Sequence, residues 1–299
     1  MGSEMCIRDS FYSEDQGFLD QIGPEDLDMP YYITAHEVAH QWWGHQLTAA
    51  NTQGDGFLHE TLAQYSAMLV MRNRYGRNTV RRFLKFELDR YLSARASDPQ
   101  GEMPLYRVEK QKYIHYRKGS IVMYALSTYL GEEVINRSLA ELLRLRAYSA
   151  EPYATSLDFL KILKAQAQPE QRGLIEDMLE KITLFDLQLQ RAQITTLDDG
   201  NFQVTAQVNV AKFYADGEGN EIEAPLNMAV DIGLFNRSPD ASDFSEENLI
   251  ALKSVPLESG ASSVKFVVDQ QPTFAVIDPY YKLIDRKMGD NETPVTAAP

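Results

Sequence analysis

His36-Glu37-Val38-Ala39-His40-Gln41-Trp42-Trp43-Gly44 is the stretch on which fold and chemistry turn, and Leu58-His59-Glu60-Thr61-Leu62-Ala63-Gln64-Tyr65 is its downstream complement. In the first, two histidines stand four residues apart within an apolar-periodic segment. On an α-helix that spacing stacks both imidazoles on one face, with Cβ atoms about 5–6 Å apart, so one rigid element offers two donors to a tetrahedral zinc. Glu37 points to the adjoining face, where a carboxylate is placed to take a proton from the attacking water rather than to bind the metal. A catalytic zinc takes a third protein ligand and keeps its fourth position open. The second stretch offers His59 and Glu60, about 100° apart on a helix, so one of the two faces the metal. Glu60 is the preferred ligand, with Gln64 one turn on as the group that would hold its carboxylate. His59 is read as a half-buried pocket neighbour, and Trp42 and Trp43 as packing under the metal helix. The expected cofactor is one Zn2+ per chain on His36, His40 and Glu60, and the expected chemistry is metal-assisted hydrolysis of an amide.

Working outward, apolar residues recur at three- and four-residue spacing in Ile33–Leu47, Phe57–Tyr75, Val80–Leu92, Ile114–Leu130, Val134–Tyr148, Leu157–Ala165 and Leu174–Ile182, which predicts helices. After residue 183 the period changes to two, in Phe202–Val208 (FQVTAQV) and Val264–Val268 (VKFVV). Turn sequences such as Asp198-Asp199-Gly200-Asn201 separate these runs, which predicts strands. The expected class is therefore α+β with two domains: a mainly helical metal-binding domain over 11–183 and an antiparallel β-sandwich over 184–290. Residues 291–299 read as a disordered tail. Residues 1–10 (MGSEMCIRDS) look foreign to the rest, a non-native, scar-like leader with neither the basic start nor the apolar stretch of a secretion signal.

Composition narrows the function classes. With 29 basic against 43 acidic residues the net charge is -14, which argues against a nucleic-acid partner. Hydrophobic residues make up 44% of the 299, enough for a core without disulfide support. No run of eighteen apolar residues occurs, so no membrane span is expected and the chain reads as soluble. Cys6 is the only cysteine, which excludes an intrachain disulfide and a cysteine-ligated zinc.

The two stretches His36–Gly44 and Leu58–Tyr65 resemble the gluzincin zinc aminopeptidases, the family that includes alanyl aminopeptidase and leukotriene hydrolase. The family pattern is HExxH, eighteen residues, then the ligand glutamate. Nineteen residues intervene here, and alignment on Glu-x-x-Ala-x-Tyr puts Glu60 on the ligand with the extra residue in the preceding loop. The resemblance implies a thermolysin-like catalytic domain that lacks its upstream strands in this chain, and a peptide as substrate. Tyr116-Arg117-Lys118-Gly119 is similar to the family's Tyr-x-Lys-Gly, which makes Tyr116 the hydrogen-bond donor to the oxyanion, a role suited to a phenol that stays protonated at neutral pH. Ser13–Leu19 resembles the segment of the exopeptidase motif that carries the amine-binding glutamate. By that match Glu14 would bind the substrate's α-amine, although Phe11 and Tyr12 replace Gly-Ala and Asp15 replaces Asn. The implied activity is removal of N-terminal residues from peptides. The alternatives are an endopeptidase and a non-catalytic module that binds peptides or partners. A closer resemblance, carried by YIHYRKGSIVMY (Tyr113–Tyr124) and IDPYYKLIDR (Ile277–Arg286), is to the peptidase region of bacterial proteins that join an ABC-transporter-type permease to an aminopeptidase module. It implies a parent protein associated with the bacterial cell membrane and tethered there by upstream segments.

Overall fold

Local signals in the sequence explain where the helices begin and end. Asp28 caps α1 (Met29–Ala39) by accepting from the Tyr31 amide at 3.0 Å, with Pro30 in the first turn where its missing N–H costs nothing. The helix was expected to run to Leu47 but stops at His40. The chain then turns back on itself, with Gly44 at φ +134°, a conformation open to glycine. Gly76 at φ +84° separates α2 (Leu62–Tyr75) from α3 (Arg77–Arg95). α3 buries Val80, Phe83, Leu84, Leu88 and Tyr91 on one stripe, as its period demands. In α4 (Gly119–Leu130) nearly every residue is buried, which marks it as the central helix of its unit. α5 (Glu132–Arg146) buries Ile135, Leu139 and Leu142, and α6 (Ser156–Gln166) opens with a reciprocal cap between Thr155 and Asp158. A short α7 (Arg172–Ile175) closes the helical series. α2 and α4 are each preceded by a π turn, Phe57–Thr61 and Tyr113–Lys118, and a third follows α7 at Glu176–Glu180. Such wide turns are rare and collect at functional sites.

The computed structural model describes residues 22–23, 26–241 and 244–298. Their contacts separate a unit running to Ile182, with the turn Asp216–Gly219 grouped into it, from a second unit of Thr183–Ala215 and the residues from Asn220 onward. The helical unit is built on Phe57, Leu58, Tyr65, Met68, Phe83, Tyr91 and Phe159, all at most 1% exposed.

The second unit is one eight-stranded sheet in the order β3-β2-β1-β8-β7-β4-β5, with β6 paired to β2. The strands are β1 (Ile182–Thr196), β2 (Phe202–Ala215), β3 (Glu221–Ala224), β4 (Asn227–Phe235), β5 (Leu249–Glu258), β6 (Gly260–Val268), β7 (Phe274–Ile277) and β8 (Glu292–Ala297). Val204, Ala206, Val208 and Val210 alternate inward along β2, and Val204 faces Phe266 of β6 across an antiparallel pair. Two expectations are corrected here. The strands are not a purely antiparallel sandwich, because β1 pairs with β8 in parallel, Ala192 opposite Val295. The segment expected to be a disordered tail supplies that strand. Glu292-Thr293-Pro294-Val295-Thr296-Ala297 carries no clean alternation, and its strand state comes from filling the place between β1 and β7.

Candidate metal centre

α1 presents His36 and His40 one turn apart, and the π turn Phe57–Thr61 brings Glu60 to them. His36 Nε2 lies 3.1 Å from His40 Nε2 and 3.3 Å from Glu60 Oε2, and His40 Nε2 lies 3.6 Å from the same oxygen. For bonds of about 2.0–2.2 Å, the edges of a tetrahedron of ligands are about 3.3–3.6 Å long. The three donors are thus spaced as three corners of a zinc polyhedron. The chemistry of the set agrees. Trp43's carbonyl oxygen lies 2.9 Å from His40 Nδ1 and can only accept, so Nδ1 carries the proton and Nε2 is left with a free lone pair. Glu60 Oε2 is buried without a conventional hydrogen bond. Two imidazole nitrogens and a carboxylate oxygen crowded together are the donors a divalent cation draws in.

The Glu60 carboxyl is held at about 2. Burial works to raise it, but the nearby His36 ring and Tyr116 hydroxyl foremost, with the His40 ring, outweigh that effect. Tyr116 is raised above the ordinary phenol value, first by burial, then by the Glu60 carboxylate to which its hydroxyl donates, and then by the charge of Glu37. Its ring centroid stands 5.8 Å from that of His36. Tyr116 therefore lies beside the three-donor cluster, and Glu37, next to His36 on α1, is near enough for its charge to act on the Tyr116 hydroxyl. Among the described residues, His36, His40 and Glu60 form the cluster suited to a metal. Glu14, assigned from the sequence to the substrate amine, lies outside the described residues.

Among the neighbours, Gln64 and Trp42 differ from expectation, while His59 and Trp43 lie as expected. Gln64 does not hold Glu60: its Oε1 accepts from the Tyr32 hydroxyl, and its Nε2 is 3.5 Å from the Tyr116 carbonyl. One amide thereby links α1, α2 and the Tyr116 turn. His59 turns away from the donors and accepts from the Ala49 amide at 3.2 Å, with its pKa lowered first by burial. Trp43 is buried and donates to Ser66 Oγ at 2.9 Å, while Trp42, expected beneath the helix, is 44% exposed. The hydroxyl of Thr61 donates to the His115 carbonyl at 2.6 Å, tying the Glu60 turn to the Tyr116 turn. Gly119 permits that approach, since a Cβ there would sit 2.6 Å from Thr61 Oγ1. Of these ties, Tyr32 alone had a sequence signal, being one helical turn before His36 on the same face.

The signature of the peptidase family M1 domain matches residues 25–182, more than half of the 299, and the chain belongs to that family. Human endoplasmic reticulum aminopeptidase 2 is 27% identical over 122 residues, 39% of this chain and 13% of that protein. Two crystal structures of a substituted M1 zinc metallopeptidase from Deinococcus radiodurans, one bound to a Tyr-Ser-Ala substrate, are 21% and 20% identical. Each aligns with 50% of this chain and 32% of its own, at a TM-score of 0.38. The chain thus spans 13% of the curated relative and about a third of each crystal chain.

Proposed function

We propose that this chain is the zinc-binding part of a metallo-aminopeptidase that hydrolyses the N-terminal peptide bond of peptides. The observation that carries the reading is the convergence of His36 Nε2, His40 Nε2 and Glu60 Oε2 at 3.1–3.6 Å. Zinc, when bound by His36, His40 and Glu60, would supply Lewis acidity that polarises the scissile carbonyl and acidifies water. Glu37 takes the proton of the attacking water and returns it to the leaving amine. Tyr116, kept protonated by burial and by Glu60, donates to the oxyanion that develops on the substrate carbonyl. Glu14 would engage the free α-amine, which makes the enzyme an exopeptidase. The helical part is the catalytic domain and the sheet a structural one.

The parent protein in this reading joins the module to a membrane permease of the ABC-transporter type. Its support is the resemblance of Tyr113–Tyr124 and Ile277–Arg286. No helix of the described residues is long and apolar enough to cross a membrane, so other segments would provide the tether.

Zinc content of the purified chain tests the centre. About one zinc per chain is expected, lost in Glu60→Ala and kept in His59→Ala; the opposite pattern would move the third ligand to His59. Peptides with free and N-acetylated termini test the substrate class, and equal hydrolysis of both would exclude an aminopeptidase.

A further inference from the structure

Two residues past Tyr116, Lys118 carries its ammonium into the interior, with the side chain 1% exposed. It meets Glu102, whose side chain is 3% exposed and which accepts three donors: Lys118 Nζ and the Tyr91 hydroxyl on Oε1 and Arg95 Nε on Oε2, each at 2.7 Å. Glu102 belongs to the loop after α3, and Tyr91 and Arg95 belong to α3 itself. The same loop also holds the other end of the π turn. Gln111 Nε2 donates to Asp98 Oδ2 at 2.7 Å and to the Gly101 carbonyl at 2.6 Å, and the Tyr113 ring stacks on Tyr91 with centroids 6.0 Å apart. Between these ends, Arg117 Nη1 donates to the buried Glu87 of α3 at 2.7 Å. α3 and the loop after it thus hold the turn Tyr113–Lys118 at both of its ends, while Tyr116 is presented to Glu60.

Packing alone does not call for this arrangement. A buried ion pair contributes little net stability over an apolar pair of the same volume, and the best-attested use of such groups is to fix one register among alternatives. A π turn is a place where register needs fixing, because a return to α geometry would rotate every later side chain. We infer that Glu102 is a positioning residue for the proposed reaction: through Lys118 it sets the register of the π turn and so the direction of the Tyr116 hydroxyl. This rests on the role given to Tyr116 above, and the experiment separates the two.

Hydrogen–deuterium exchange on the full 299-residue chain compares wild type, Glu102→Gln and the exposed control Glu133→Gln. With Glu102→Gln the amides of 113–118 should exchange at least about tenfold faster, with α1 unchanged and the control silent. Unchanged exchange over 113–118, or an equal rise throughout the helical unit, overturns the inference without any need for turnover. Should Glu102→Gln fail to fold, Lys118→Met severs the same tie while leaving Glu102 its bonds to Tyr91 and Arg95. In kinetics, Glu102→Gln should lower kcat about tenfold with KM within about twofold, and should add no loss in the Tyr116→Phe background. An equal loss in both backgrounds overturns the positioning role and leaves Tyr116 intact as the oxyanion donor. Full turnover in Tyr116→Phe alone instead removes the role of Tyr116, and with it the catalytic purpose of the clasp.

Discussion

Both units of the chain bury a lysine among carboxylates, and the outcomes are opposite. In the helical unit Glu102 touches the Lys118 ammonium and Arg95 directly. Burial works to raise its pKa, but Lys118 foremost, with Tyr91 and Arg95, brings it below the ordinary value. In the sheet unit the Lys282 ammonium goes to Asp231 at 2.7 Å, and Asp278 receives the Lys282 and Leu283 amides at 3.1 and 2.8 Å. Burial then prevails, and Asp278 rises to about 6. Asp285, which accepts from the Leu187 and Lys287 amides, also rises to about 6, again first through burial. Backbone donors satisfy a carboxylate without replacing the water around its charge, and one cation is not always enough: Glu87, with Arg117 at 2.7 Å, still rises to about 7 through burial, whereas Glu102 has Lys118, Arg95 and the Tyr91 hydroxyl together. The first network holds a turn that faces the candidate metal centre. The second holds the turn after β7, where Asp278 and Tyr281 both have positive φ. Hydrogen-bonding the turn's free amides to Asp278 offsets the strain of that backbone.

If the first unit's charges serve chemistry and the second's serve the fold, substitutions should divide the same way. The largest effect expected is on turnover in Glu37→Gln, a fall of roughly 10²–10⁴-fold with zinc and melting temperature retained. Steady-state kinetics with metal analysis checks it, and retained turnover would remove Glu37 as the base. In the sheet unit, Asp231→Ala removes the carboxylate that Lys282, 2% exposed, meets at 2.7 Å, and should cost about 3–5 kcal/mol in denaturant unfolding. Adding Lys282→Met should recover most of that loss, and a double variant no better than the single one would refute the desolvation account. Tyr116→Phe should cost about 2.7–4 kcal/mol of transition-state stabilisation with little change in stability, read as kcat/KM beside a melting curve.

The smallest and most discriminating effect is on pH dependence. Glu102 is lowered in the folded state, so its contribution is present above the ordinary carboxylate pKa and is lost as pH falls through the lowered one. Asp278 and Asp285 are raised from 3.8 to about 6, so their contribution is full below 3.8 and is lost as pH rises through about 6. Between pH 5 and 7.5 the sheet unit should weaken, and Asp278→Asn should flatten that slope. In the helical unit the Glu102 contribution should be lost in acid, where Glu102→Gln should flatten the response, while Glu87, raised to about 7 by burial, should lose its contribution as pH rises through about 7. Unfolding followed separately by Trp42 and Trp43 fluorescence and by sheet-unit amide exchange would read the two responses, and a Glu102→Gln variant with the wild-type acid response would erase the contrast.

The first two candidate metal donors were legible because HExxH is a local pattern. Helical geometry alone stacks His36 over His40, and the periodicity of Phe57–Tyr75 and Ile114–Leu130 located the elements that carry Glu60 and Tyr116. Periodicity could not reveal the π turns within those segments, since one wide turn shifts the phase of a helix without erasing its apolar stripe. Nor could it reveal β8, whose residues take their conformation from the strands on either side.

What the sequence determined by itself is the helix with two imidazoles on one face, the change of period near residue 183, and the preference for Glu60 over its neighbour His59 as the candidate third ligand. The tertiary structure placed Glu60 Oε2 3.3 and 3.6 Å from the two imidazoles and turned His59 to the Ala49 amide. It also reassigned Gln64 to Tyr32, 32 residues away, and closed Glu102 on Lys118, 16 residues away. The physical reason is that a helix fixes relations over three or four residues. A buried hydrogen bond between elements is selected only once packing has excluded water from both partners, and no spacing in the chain records that event.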